Sequence, residues 1–206
     1  MTLNLTDEDG EFLVKLARRS IEEYLRRRVK VKPSAETPES LNVKRGVFVT
    51  LNSLVAGVKE LRGCIGFPYP THPLVEATVE SAIEAAVGDP RFPPVTLKEM
   101  DSIVVEVSVL TRPELIVVNN PRELPKSIRI GVDGLIIERG LYKGLLLPQV
   151  PVEWGWDEEE FLSNACMKAG LTPDSWLLKD IKVYKFQAEI FEEEEPRGQV
   201  KRRILR

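Results

Sequence analysis

A short glycine-containing segment carries the residues of this chain that are best suited to chemistry, Glu60-Leu61-Arg62-Gly63-Cys64-Ile65-Gly66. In an extended strand alternate side chains share a face, so Arg62 and Cys64 are expected to project together, about 7 Å apart along the strand. A guanidinium at that distance stabilises a thiolate and lowers the pKa of the thiol. Gly63 and Gly66 lack side chains, so the sequence predicts space in which a ligand can approach the sulfur.

The chemistry of this segment stays open among four interpretations. Cys64 is a buried apolar side chain with Arg62 paired to a carboxylate, or it is a nucleophile activated by Arg62 or His72. In the third interpretation, Arg62 binds a carboxylate or phosphate group of a ligand without covalent chemistry. In the fourth, Cys64 is a redox sensor. The candidate catalytic residues are therefore Cys64, Arg62 and His72.

A proline-rich block is expected to lie near the same pocket, Asp89-Pro90-Arg91-Phe92-Pro93-Pro94. Its last two prolines lack backbone donors and restrict the residues before them, so the block cannot be helical. Asp89 and Arg91 either form a polar pair at the rim of the pocket or brace the turn, and we favour the brace. The candidate ligand-binding residues are Gly63, Gly66, Arg91 and Phe92.

The residue counts exclude several classes of site. Two cysteines, Cys64 and Cys166, and one histidine are too few for a disulfide framework, a cysteine-rich zinc site or a multi-histidine metal site. No Gly-x-Gly-x-x-Gly motif follows a predicted strand, and no Walker-type phosphate loop occurs. We therefore expect neither a metal nor a cofactor.

Net charge and hydropathy indicate which classes of partner and which cellular compartment to expect. The net charge of -3 argues against nucleic acid, which only an arginine-rich first helix and a basic tail at residues 196–206 would favour. No apolar run of about 18 residues could span a bilayer, and the acidic N-terminus does not resemble a secretory signal. We expect a cytoplasmic protein without a membrane partner. The many charged residues and the 15 prolines are typical of thermophiles.

Hydrophobic periodicity sets out the elements that must position these residues. Helices are predicted over about residues 7–28, 73–88 and 157–170, the first and third with capping boxes. Strands are predicted over about 46–51, 56–65, 103–110 and 181–191, with a turn at Asn52-Ser53 and a hairpin at Arg139-Gly140. The irregular alternation predicts an α/β protein of the α+β type, with helices packed on a mixed or mostly antiparallel sheet.

Four blocks, in order, resemble the AMMECR domain family. The resemblance runs from the first helix to about Phe191 and is most specific in its first block. The blocks are Leu61-Arg62-Gly63-Cys64-Ile65-Gly66, the block from Asp89 to Pro94, Leu147-Pro148-Gln149-Val150, and the stretch from Trp156 through Phe161-Leu162 to Lys168-Ala169-Gly170-Leu171.

The resemblance implies a single domain over residues 1–195, with a smaller β-rich lobe at about 112–156. It implies a cytoplasmic protein of archaea or bacteria and partners of the Memo type and the radical SAM class, whereas the human member points to protein–protein regulation. The family has no assigned catalytic residues, so none are carried over. We expect an intracellular binding module with a pocket around Arg62-Gly63-Cys64, for a small molecule or a protein, and keep open an enzyme with a Cys64 thiolate activated by Arg62.

Overall fold

The computed structural model describes residues 3–32 and 37–205, which form two compact units. Of the described residues, the first unit comprises 3–32, 37–110 and 189–203, and the second comprises 111–188, 204 and 205. The candidate site lies entirely in the first unit. The predicted loop over residues 31–42 falls partly outside the described residues, and its last part forms a short 3-10 turn, Glu39–Leu41.

Two helices cover one face of the sheet in the first unit. Helix α1, Asp7–Arg27, begins with the predicted capping box of Thr6 and Asp9 and ends where Arg28 adopts a left-handed conformation. Helix α2, Leu74–Val87, follows Pro73 and ends at Gly88, as predicted. Their apolar faces pack with β-strand residues into one core that includes Leu13, Ile21, Leu51, Ile83 and Val107.

The strands of the first unit are β1, Gly46–Val55, β2, Val58–Phe67, and β3, Ile103–Leu110. Strand β1 pairs antiparallel with both β2 and β3. The end of β7, Lys182–Glu193, and the short β8, Val200–Arg203, extend the order to β2-β1-β3-β7, with β8 antiparallel to β7. Strand β2 therefore lies at one edge of this sheet.

The predicted turn at Asn52-Ser53 is wrong. Those residues continue β1 and pair with Leu61 and Glu60. The chain reverses instead at Ala56-Gly57, where φ is 50° and 82°. Two successive positive φ angles give the tight turn that matches the twist of a hairpin, and Gly57 supplies one of them without strain.

The second unit is a small sheet covered by helical segments. Strand β5, Asp133–Arg139, pairs antiparallel with β6, Tyr142–Leu146, and with the first part of β7, and β4, Glu114–Leu115, also pairs with β7. The hairpin at Arg139-Gly140 is confirmed. Helix α4, Glu158–Lys168, has the predicted capping box, whereas the short helix α3, Gln149–Trp154, was not predicted. Cys166 is fully buried in the core of this unit.

The mixed α/β class with antiparallel strands is confirmed. No helix within residues 3–32 and 37–205 has the length and apolar character needed to cross a bilayer.

Candidate functional site

The expected alternation of side chains along β2 is interrupted at Arg62. Thr50 pairs with Cys64 and Leu51 with Gly63, but Asn52 pairs with Leu61, so Arg62 has no partner across the ladder. Such a bulge places two residues of one strand opposite one residue of the other and re-aims the side chain. The bulge therefore interrupts, at Arg62, the simple alternation from which a shared face of Arg62 and Cys64 was predicted.

The outer backbone edge of Cys64 is occupied by the block that follows α2. The Cys64 amide donates to Asp89 Oδ2 at 2.9 Å, and Arg91 Nη2 donates to the Cys64 carbonyl at 3.4 Å. Asp89 also accepts from the Arg91 amide, Nε and Nη2 at 3.1, 2.9 and 2.6 Å. These two residues take the place of a neighbouring strand at Cys64 and brace its position.

Asp89 is an ionised, buried carboxylate. Only 4% of the residue is exposed. The hydrogen bonds from Arg91 lower the pKa of Asp89 to about 2, in spite of burial, and the Cys64 amide contributes in the same direction. The favoured interpretation of this pair, a brace, agrees with these contacts.

The Cys64 thiol is a free, partly buried group that accepts a hydrogen bond from Thr50 Oγ1 at 3.4 Å. Burial raises the pKa of Cys64, and the negative charges of Glu106 and Asp89 raise it further. The Thr50 hydrogen bond and the charge of Arg91 lower the pKa only in part. The direction is opposite to the one expected for an activated thiolate.

The Arg62 guanidinium points to the segment between α2 and β3. Its Nε donates to Glu99 Oε1 at 3.0 Å, and its centre lies 5.9 Å from the centroid of the Phe92 ring. Burial raises the pKa of Glu99, but hydrogen bonds from Thr96 and Arg62 outweigh it and leave that pKa below its usual value. The Nη1 of Arg62 is buried and has no hydrogen-bond partner among the residues that the structure describes.

The two glycines of the segment make room for protein rather than for a ligand. A Cβ at Gly63 would lie 2.1 Å from the Ala85 carbonyl oxygen of α2, and one at Gly66 would lie 2.2 Å from the Val47 carbonyl oxygen. The space beside the sulfur that the sequence predicted at these positions is therefore filled by neighbouring backbone.

His72 lies at the exposed turn before α2. Its Nδ1 is 2.9 Å from Thr71 Oγ1, and its ring centroid is 5.3 Å from that of Phe67. The side chain that is hydrogen-bonded to the Cys64 sulfur is that of Thr50 and not that of His72.

Two residues of the site, Thr50 and Glu99, could not be identified as site residues from the sequence pattern. Thr50 meets the sulfur through the register of β1 and β2, and Glu99 meets Arg62 across 37 residues. In the described ranges, no group of three or more histidine, cysteine, aspartate or glutamate residues is arranged to hold a metal ion.

Known proteins are similar to this chain over almost its whole length. A family model described as AMMECR1 matches residues 14–191. Protein PH0010 of Pyrococcus horikoshii is 64% identical over 206 residues, which is 100% of each chain. Protein MJ0810 of Methanocaldococcus jannaschii is 61% identical over 196 residues, covering 95% of this chain and 96% of the relative.

A solved structure has the same fold. The crystal structure of PH0010 superposes with a TM-score of 0.94 at 63% identity, covering 98% of this chain and 99% of the other. The relatives are archaeal thermophiles, in agreement with the composition. The names of these relatives state no activity.

Proposed function

The chain belongs to the AMMECR1 family, and we propose that it is a binding module whose ligand contacts the Arg62-Gly63-Cys64 segment. One observation carries the proposal: the buried Nη1 of Arg62 has no hydrogen-bond partner among the described residues. A buried donor without a partner costs about 1–3 kcal/mol, and more when it is charged. A ligand oxygen at Nη1 would recover that free energy.

The surroundings of Arg62 favour a carboxylate or a phosphate group. A guanidinium offers parallel N–H donors that match the oxygens of both groups. The Phe92 ring provides an apolar wall 5.9 Å from the guanidinium centre. Glu99 occupies Nε, but 38% of its side chain is exposed, so it can move to admit a ligand. The ligand then shares the guanidinium with Glu99 or replaces it.

The contacts argue against a thiolate nucleophile. The pKa of Cys64 is raised by burial, and Arg62 is held by Glu99. A nucleophile needs the opposite arrangement, with a lowered pKa or an adjacent base. In this proposal, Cys64 shapes the site through its braced backbone and does not react.

The location and the source of the ligand belong to the same proposal. We place the protein in the cytoplasm, where its two free cysteines would stay reduced. By the family resemblance, the ligand or partner comes from a pathway shared with Memo-type and radical SAM proteins. Fractionation of cells with an antibody against the chain would test the location.

Ligand binding by four variants tests the proposal. Small carboxylates, phosphate esters and a metabolite extract of the source organism are screened by thermal shift, and each binder is then measured by calorimetry. Arg62→Lys keeps the charge but loses the paired donors, so we expect the affinity to fall about tenfold or more, and Arg62→Ala to fall at least as far. Cys64→Ser should bind like the wild type.

Lys98→Ala is the matched control, because Lys98 is exposed and lies next to Glu99. It removes a positive charge without touching Arg62 and should leave the affinity unchanged. Equal losses in Arg62→Ala and Cys64→Ser would count against a binding role carried by the guanidinium.

A further inference from the structure

The first unit contains a concave site lined by helix α1, the end of β7 and the chain that follows β7. The cavity has a volume of about 280 Å³. None of its lining residues belongs to the Arg62-Gly63-Cys64 segment. We infer that this cavity binds a small ligand through a phosphoryl group. The lining residues are Lys15, Arg18, Arg19, Glu22, Glu23, Arg26, Glu193, Arg197, Gly198 and Val200.

The cavity has more cations than carboxylates. Five of its lining residues are lysine or arginine and three are glutamate. Arg18 and Glu193 form a buried pair with contacts of 2.5 Å, and Arg18 also donates to the carbonyls of Met100 and Ile103. That buried pair lines the cavity and is neutral. Lys15 and Arg197 also pair with Glu11 and Asp101, which lie outside the lining, so the positive charge that is left for a ligand is that of Arg19.

A carboxylate of the protein already shows how an oxyanion is held there. Glu22 Oε1 accepts from Arg197 Nη2 at 3.0 Å and from Arg18 Nη1 at 3.5 Å, and Glu22 Oε2 lies 3.6 Å from Arg26 Nη2. Three guanidinium groups therefore converge on one acidic group. This arrangement is the one by which arginines bind phosphate.

Arg19 supplies the charge that is not used within the protein. It is exposed, and it forms no ion pair with any residue in the described ranges 3–32 and 37–205. Lys15, at the same rim, pairs with Glu11, which lies outside the cavity. A dianion at the rim would meet Arg19 together with Arg26 and Arg197, the exposed arginines beside Glu22.

The size and the charge of the cavity select the ligand class. The volume is close to the lower end of about 300–1,000 Å³ for ligand pockets, so the ligand is small. A phosphoryl group carries up to two negative charges and three acceptor oxygens, more than one carboxylate can offer to several arginines. A nucleic acid backbone needs an extended basic track, and here Arg26 and Arg27 are paired with Glu22 and Glu23.

Calorimetry with two probes tests the inference at a constant ionic strength set with sodium chloride. The probes are inorganic phosphate and glycerol 3-phosphate. Tighter binding of glycerol 3-phosphate indicates a phosphomonoester site, and equal or tighter binding of inorganic phosphate indicates a site for the free ion. Either result supports a phosphoryl site, provided that the variants below respond. No binding of either probe at millimolar concentration would overturn the inference.

Two substitutions at this cavity are expected to change the affinity for the probes in opposite directions. Arg19→Ala should weaken binding about tenfold, whereas Glu22→Gln should strengthen it severalfold, because it removes a negative charge that competes with the ligand for Arg26 and Arg197. The charge-matched controls are Arg28→Ala, at the C-terminal end of the same helix, and Glu8→Gln; both residues lie outside the lining, and each variant should stay within about twofold. Thermal melts confirm that each variant is folded.

Arg62→Ala separates this site from the proposed binding module. The Arg62→Ala background removes any binding of a probe at the Arg62 site, and Arg19→Ala should still weaken the remaining binding about tenfold, because Arg62 does not line the cavity. Equal affinities in Arg19→Ala and Arg28→Ala, or weaker binding in Glu22→Gln, would show that the charge of the whole molecule and not the cavity holds the probe.

Discussion

At the scale of single residues, the hydrogen-bond partners of Arg62 and Cys64 define the candidate site. Arg62 is paired with Glu99, the Cys64 backbone with Asp89 and Arg91, and the Cys64 sulfur with Thr50. The thiol and the guanidinium, adjacent in the sequence pattern, therefore belong to different sets of contacts. This separation favours binding by Arg62 over activation of Cys64.

Alkylation of Cys64 should be slow at neutral pH. Its pKa is raised by burial, so the thiolate fraction, which is the reactive species, is smaller than in a free thiol. We expect iodoacetamide to label the Cys64 peptide more slowly than free cysteine, as measured by mass spectrometry across a pH series. Thr50→Val removes a hydrogen bond that lowers the pKa and should move the midpoint higher. A midpoint below that of free cysteine would reinstate the nucleophile.

Asp89 should make the folded state sensitive to acid. Its pKa is about 2 in the folded protein against an ordinary value of 3.8. Because the folded pKa is depressed, the stabilisation is present above about 4 and is lost as the pH falls towards 2, by about 1–2 kcal/mol. Urea unfolding across this range measures the loss.

The matching variant is Asp89→Asn. It should be about 2 kcal/mol less stable at neutral pH, because Arg91 and the Cys64 amide lose a charged acceptor, and its stability should change less between pH 4 and 2. Asp180→Asn, which removes a fully exposed carboxylate paired with Arg139, is the control and should have little effect. An Asp89→Asn protein with the acid sensitivity of the wild type would contradict the assignment.

At the scale of elements, the position of β2 on α2 is set by a contact that tolerates no side chain. A Cβ at Gly63 of β2 would lie 2.1 Å from the Ala85 carbonyl oxygen of α2. Since the bulge at Arg62 immediately precedes Gly63, the same contact aligns the bulge with the helix layer. Close packing against neighbouring backbone therefore explains both glycines of the block, Gly63 and Gly66.

Two glycine substitutions in one hairpin should differ in their cost. Gly63→Ala places a Cβ 2.1 Å from a backbone oxygen, so we expect a loss of about 3 kcal/mol or more in the free energy of unfolding. Gly57→Ala at the turn has open space but a φ of 82°, which costs about 1–2 kcal/mol. Denaturant unfolding compares the two, and equal losses would show that β2 can move away from α2.

A single 3-10 turn between α2 and β3 joins several parts of the first unit. In Glu99–Asp101, the first residue holds Arg62, the carbonyl of Met100 accepts from Arg18, and Asp101 accepts from Arg197. Consecutive residues of one short turn thus contact the candidate site and the lining of the basic cavity.

At the scale of the whole molecule, the segment before α1 and strand β8 meet in the first unit. Strand β8, from the basic tail, pairs with the end of β7. Arg202 on it donates to Asp7, to Glu189 and to the Leu5 carbonyl, and its guanidinium lies 4.6 Å from the centroid of the Phe191 ring. Much of the positive charge of the tail is therefore used in holding the fold.

Loss of the Arg202 contacts should loosen the N-terminal segment. Arg202→Ala is expected to lower the free energy of unfolding by about 2 kcal/mol, because three acceptors and an aromatic contact are lost together. Lys201→Ala removes an exposed lysine paired with Glu194 and should change stability by about 0.5 kcal/mol or less. Chemical denaturation with hydrogen exchange at residues 3–10 measures both effects, and equal losses would contradict a specific role for Arg202.

The sequence by itself determined the family, the class of fold and most of the elements. Capping boxes and apolar stripes are local, so the ends of α1, α2 and α4 could be predicted from neighbouring residues. The block from Leu61 to Gly66 identified the family because its residues are adjacent in the chain. The turn at Ala56-Gly57 was not predicted, because Asn52-Ser53 has the composition of a turn and alanine seldom adopts a positive φ.

The tertiary structure alone decided what the functional side chains contact. The bulge moves Arg62 out of the alternation, and contacts across 14, 25 and 37 residues give Thr50, Asp89 and Glu99 to the segment. The pKa of Cys64 follows from burial and surrounding charge, which depend on the packed neighbours and not on the residue type. Sequence spacing fixes which groups are available, and packing fixes which of them meet.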